Sequence, residues 1–147
     1  MQKTAHGIAA EVKQASAAML KLDPEQTVIK PRPEKWSKQE ILGHLIDSAV
    51  NNYHRFVRAQ HGAAADFPCY QQDNWVAAQH YNERPLSELV ELWAVLNTQL
   101  VHIIERIPAN MASAPVNFNE DQPAALEYVV KDYLVHMRYH LRQIVEG

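Results

Sequence analysis

Cysteine is almost absent from this chain of 147 residues: Cys69 stands alone. A single thiol excludes an internal disulfide framework, and a cytoplasmic protein is the expectation. Long apolar runs are missing too. None approaches the roughly 20 residues needed to span a bilayer. Neither sign of charge is in excess, the formal net charge being −3. Nothing in that balance points to nucleic acid or to an anionic membrane surface. The opening stretch MQKTAHGIAAEVKQ spreads its charges along its length, unlike a secretory leader. No strand alternation competes with the helical pattern, apart from a weak extended candidate in APVNF (114–118). There is no repeat and no low-complexity tract. The length suits one ordinary domain, and residues 1–147 are expected to form one.

Helical periodicity is plentiful. A first segment, about Thr4 to Lys21, sets Ile8, Val12, Ala15, Met19 and Leu22 at helical spacing. The proline-rich link 23–35 forbids its continuation. A second helix starts at Ser37, where Glu40 completes a capping box and Trp36 can staple onto Ile41. It runs to about Gln60, with Leu42, Leu45, Ile46, Ala49, Tyr53 and Phe56 as its apolar face. A long connection, 61–83, contains Gly62 and Pro68 and room for a short helix in QQDNWVAAQ. The third long helix begins near Pro85 and stops at Pro108. Its stripe is Leu86, Leu89, Trp93, Leu96, Leu100, Ile104 and Ile107. The fourth spans about Ala124 to Val145. Four amphipathic helices predict an all-α, four-helix bundle, and the connections after the first and second helices are too long to force a simple up-down-up-down order.

Histidine is the residue in excess, with eight copies. In DYLVHMRYHLRQI, Asp132, His136 and His140 lie along one stripe, with Gln143 close by. The pair falls on the seam between the apolar arc (Leu126, Val129, Val130, Tyr133, Leu134, Met137, Leu141, Ile144) and a charged arc. Two imidazoles four residues apart can hold one borderline ion such as zinc or nickel, and a third ligand must then come from another helix. The same spacing arises by chance in a histidine-rich helical protein. Two familiar patterns are excluded. The zincin motif needs a Glu directly after the first His, and di-iron bundles need Glu-x-x-His; neither occurs. His44 is the natural third candidate. It shares a polar arc of the second helix with Ser37, Glu40, Asp47, Ser48, Asn51, Arg55 and Arg58. That arc reads either as a solvated face or as the lining of a cleft.

The stretches KPRPEKWSKQEILGHLIDSAVNNYHRFVRAQ and KDYLVHMRYHLRQI resemble the DinB-like superfamily of small bacterial metal-binding bundles, including its YfiT-like branch. Trp36-Ser37, His44, and His136 with His140 match that family's helix start, its histidine in the second helix and its His-x3-His pair. The resemblance extends over nearly the whole chain. It implies a divalent-metal site of His44, His136 and His140 with open positions for water or substrate. It also implies long helix crossings and a homodimer. Members are described as metal-dependent hydrolases or as S-transferases using low-molecular-weight thiols such as bacillithiol, mycothiol or glutathione, and many have no established reaction.

The functional expectation is therefore a metal-dependent enzyme acting on a small molecule, of thiol S-transferase or hydrolase type. The alternative is a non-catalytic dimeric bundle with a structural or vestigial metal. An open position beside a cleft favours the enzyme; a fourth protein ligand or a filled cleft favours the module. Asp47 and Asp132 are candidates to orient ligand histidines, and Asp73 to reach the site from the connection. Each also reads as a cap or surface residue. Cys69 reads as a small packed residue, Asn97 as a satisfied buried amide or the lining of a polar cleft, and His102 as exposed. Trp75, Tyr70 and Tyr81 read as core aromatics or pocket walls. The alanines of the first helix (Ala9, Ala10, Ala15, Ala17, Ala18) permit close helix approach in a dimer, and they also simply favour helix.

Overall fold

Ser37 opens the helix on which the bundle turns. Its Oγ accepts from the Glu40 amide at 3.1 Å, and a Glu40 carboxylate oxygen accepts from the Ser37 amide at 2.8 Å. This closes the capping box and starts α3 (Lys38–Ala59). The computed structural model describes residues 1–62, 67–117 and 122–147. Three further long helices accompany α3: α1 (Gln2–Met19), α5 (Leu86–Arg106) and α6 (Leu126–Val145). Two short helices lie between them, α2 (Pro24–Thr27) and α4 (Gln72–Gln79). The first long helix thus begins and ends two residues earlier than its periodicity suggested. The link 23–35 also carries a turn of helix, capped by Asp23.

The long helices form a ring in the order α1, α5, α3, α6. Helices α1 and α3 are consecutive long elements, yet they face each other diagonally, as do α5 and α6. Two links must therefore cross an end of the bundle. The α5–α6 link includes an antiparallel pair of two-residue strands, β1 (Pro115–Val116) and β2 (Ala124–Ala125). The extended candidate at 114–118 thus contains a real strand, although its Phe118 lies outside the described residues, as do 63–66 of the long connection. The start of α6 has no side-chain cap. Instead the amides of Leu126 and Glu127 donate to the carbonyls of Ala114 and Ala112, both at 2.9 Å.

One hydrophobic core fills the ring, centred on Trp93, Phe56, Ile8, Met19, Leu100 and Met137. All eight residues of the apolar arc assigned to α6 are buried. The stripe on α5 is buried apart from Leu96, which is half-buried. One correction concerns α3: Tyr53, assigned to its apolar face, is exposed. Of the two readings of its polar arc, the covered one holds: Ser37, His44, Asp47, Ser48, Asn51 and Arg55 are buried, and Glu40 and Arg58 half-buried. The reason is that α4 and the 3-10 turn Tyr81–Glu83 pack on α3, while Trp36 and the imidazoles of α6 close over His44. Gln39 fastens that cover. Its Nε2 donates to the Tyr81 and Arg84 carbonyls at 2.7 Å, and its Oε1 accepts from Thr27 Oγ1 at 3.2 Å.

Candidate metal centre

Helices α3 and α6 are neighbours in the ring, and their facing polar edges meet at three imidazoles. His44, His136 and His140 bring ligand atoms within 4.8 Å of one another, and no other group of three His, Cys, Asp or Glu residues does so among the described residues. His44 Nε2 lies 3.0 Å from His136 Nε2. The ring centroids are 5.0, 4.7 and 4.6 Å apart for 44–136, 44–140 and 136–140, all near edge-on. His44 is fully buried under the indole of Trp36, whose centroid is 4.9 Å away. His140 Nδ1 is 3.0 Å from Gln143 Oε1. Nδ1–H donating to that acceptor leaves the Nε2 lone pair for the cluster.

The surroundings keep the rings neutral. Burial lowers the pKa of His44 to about 3, with help from the neighbouring His136 and His140. Burial and His140 lower that of His136 to about 4. His140 is lowered as well, again by burial, while Gln143 works the other way. Neutral imidazoles converging on one point are the donor set that a borderline divalent cation takes. The residues present therefore fit such an ion.

Beside His44 and His136 lies a cavity of about 350 Å³ between α3 and α6. Ser48, Asn52 and Arg55 line it from α3, Asp132 and Tyr133 from α6, and residues 69–72 roof it. The roof is anchored at Phe67, whose ring stacks on His54 at 5.0 Å and lies under the Arg58 guanidinium at 5.3 Å.

The sequence matches the DinB superfamily over residues 10–144. The chain belongs to the DinB superfamily.

This DinB member is similar to the "Putative metal-dependent hydrolase BH0277" of Halalkalibacterium halodurans, with 20% identity over 131 residues, 89% of this chain and 76% of that protein. Its fold is shared with YfiT from Bacillus subtilis, described as a probable metal-dependent hydrolase with an unusual four-helix bundle topology. The TM-score is 0.81 at 19% identity, over 99% of this chain and 82% of that one. No helix among the described residues is long and apolar enough to cross a membrane.

The other singled-out residues divide sharply. Asp47 is engaged by the connection: its Oδ1 accepts from Tyr81 Oη at 2.6 Å and from Gln79 Nε2 at 2.5 Å. Its Oδ2 and the Nδ1 of His44 are buried without hydrogen-bond partners, so the two do not pair in this arrangement. Burial raises the Asp47 carboxyl against the pull of both hydrogen bonds. Asp132 lines the cavity, raised by burial and lowered by the Arg55 charge. Asp73 is exposed in the first turn of α4; it is not part of the cavity beside His44 and His136 but lines a second groove together with His140.

Cys69 is exposed rather than packed, and lines the cavity roof beside Tyr70. Burial, with the Asp47 charge, pushes the Tyr70 hydroxyl up to about 12. Trp75 is also exposed, its ring tilted against Tyr70 with centroids 5.1 Å apart, whereas Tyr81 is in the core. Asn97 is a satisfied buried amide, donating to the Trp93 carbonyl at 2.8 Å and accepting from Tyr133 Oη at 2.6 Å. His6, His54, His61, His80 and His102 are exposed, outside the cluster. Trp36 over His44 was not foreseen. Its position just before the cap was legible, but the direction of its ring was not.

Proposed function

We propose that this chain is a metal-dependent enzyme acting on a small molecule, of thiol S-transferase or hydrolase type, with His44, His136 and His140 holding one divalent ion, zinc or nickel. The observation that carries the reading is the meeting of three neutral imidazoles, two of which, His44 and His136, line a cavity. An ion held by three neutral ligands keeps its full charge and lowers the pKa of a water or thiol at an open position.

The chain's own residues supply the rest. Gln143 fixes the tautomer of His140. Trp36 shields His44 from water on one side. Arg55, buried beside the cavity, offers a cationic wall to a substrate, with Asp132 setting the opposite sign nearby. Asp47 acts at one remove, holding Gln79 and Tyr81 so that the connection keeps its place over α3. No fourth ligand joins the cluster among the described residues, and the cavity is open. Both features favour an enzyme over a structural module. The reading includes a single-domain homodimer, checked by light scattering at micromolar concentration.

Two assays on metal-loaded protein test it. One offers low-molecular-weight thiols with an electrophilic acceptor; the other offers small esters and amides. Turnover in either, abolished by chelation, supports the mechanism. Turnover that survives removal of all metal contradicts it.

A further inference from the structure

The three-histidine cluster has a second open side. His44 and His136 face the polar cavity described above, whereas His140 lines a separate, larger groove of about 920 Å³. Gln72 borders both. The groove is built from the link that follows α2, the start of α3 and the end of α6. Its walls are Ile29, Trp36, Ile41 and Tyr139. Two of them, Ile29 at 56% and Tyr139 at 60%, are among the most exposed large apolar side chains of the protein. Both aromatic walls touch the cluster directly. Trp36 lies 4.9 Å from the His44 ring, and Tyr139 lies 5.0 Å from His140 and nearly perpendicular to it.

We infer that this groove is the apolar subsite of the substrate, taking a flat, uncharged limb of the small molecule whose reacting bond lies at the imidazoles. The inference rests on the functional reading above and adds the substrate class. Three observations select this occupant. The groove is continuous with the cluster through rings in contact with His44 and His140, so whatever reacts there from this side must lie against Trp36 or Tyr139. Its volume falls in the range of small-molecule pockets, which are mostly apolar and concave. Two aromatic walls favour a planar group by offset or edge-on contact. The rim carries both signs, Arg32, Lys35 and Lys38 against Glu34 and Asp73, so a charged limb of either sign would meet a like charge there. The polar cavity on the other side, with Arg55, Asp132 and Ser48, suits a hydrophilic head or co-substrate. A substrate with one polar and one flat apolar end would span the cluster.

The test is a binding titration on the metal-free full-length chain, followed through the Trp36 indole N–H resonance. The probes are benzamide, cyclohexanecarboxamide and acetamide, which share one head group and differ in the limb. Benzamide is expected to saturate and to bind tightest, and acetamide weakest. The surface substitutions Ile29→Ser and Tyr139→Ser are expected to weaken benzamide about fivefold or more, the scale of one lost apolar contact. Both side chains are mostly exposed, so both variants should fold. The titration uses metal-free protein and reads no turnover, which separates this inference from the metal site and from the reaction. Benzamide binding no tighter than that of the other two probes overturns the inference. So does an affinity that ignores both substitutions. Self-association that disappears in the same two variants would show a second copy in the groove, and also overturns it.

Discussion

The Tyr81 hydroxyl donates to Asp47 Oδ1 at 2.6 Å, and the ring behind it lies against α3 where Gly43 leaves no side chain. A Cβ at position 43 would collide with the ring carbons of Tyr81. Gly43→Ala should therefore destabilise the protein by about 1–3 kcal/mol, the usual scale of overpacking. It should do so although alanine is the better helix former by about 1 kcal/mol. Urea denaturation decides the sign. A stabilised Gly43→Ala protein would contradict the packing described for the 3-10 turn.

Tyr133 and Asn97 make the corresponding link inside the core. Tyr133→Phe removes the donor and leaves the Asn97 Oδ1 acceptor buried without it. The expected loss is about 1–3 kcal/mol of stability, the cost of an unsatisfied buried group. Metal content should be unchanged, because no imidazole of the cluster depends on that bond. Denaturation and metal analysis of the same sample check both halves.

Acid should destabilise the metal-free protein before it protonates most carboxylates. The unfolded chain takes up protons on its histidines as pH falls through about 6.5. Folded His44 and His136 resist until about 3 and 4. Between those limits the unfolded state binds more protons, so stability falls as pH falls. For His44 alone the loss between pH 7.5 and 5 is about 2 kcal/mol. Asp47 and Asp132, raised by burial, act in the opposite sense as they protonate. The decisive comparison is thus with His44→Gln, whose stability should fall less over the same range. Equal pH slopes in the two proteins would contradict the burial of a neutral His44.

Much of the fold is legible in the residues because helical periodicity reports burial directly. The apolar arc of α6 and the capping box at Ser37 both follow from spacing alone. The polar arc of α3 is a different case. Periodicity separates polar from apolar faces, but it does not say what covers a polar one. The cover is α4 and the turn after it, short elements with little pattern of their own, so the burial of His44 and Asp47 was not readable. The same limit applies to the cluster. The pair His136 and His140 is a local signal. His44 lies 92 residues away from His136; its polar arc made it a candidate, and the family resemblance joined it to the pair. Trp36 was placed correctly before the cap, yet its indole turns toward His44 because the link that follows α2 brings it there. Cys69 is exposed, against its packed reading, although Val76 and Tyr81 of the same connection are buried.

The central claim is that His44, His136 and His140 hold one divalent ion together. Metal content after loading with zinc or nickel and exhaustive dialysis, measured on the wild type and on His44→Ala, His136→Ala and His140→Ala, tests it most directly. The account predicts about one ion per chain for the wild type and a clear loss in each variant, since a three-ligand site does not survive with two. A stoichiometry that none of the three substitutions changes would contradict it.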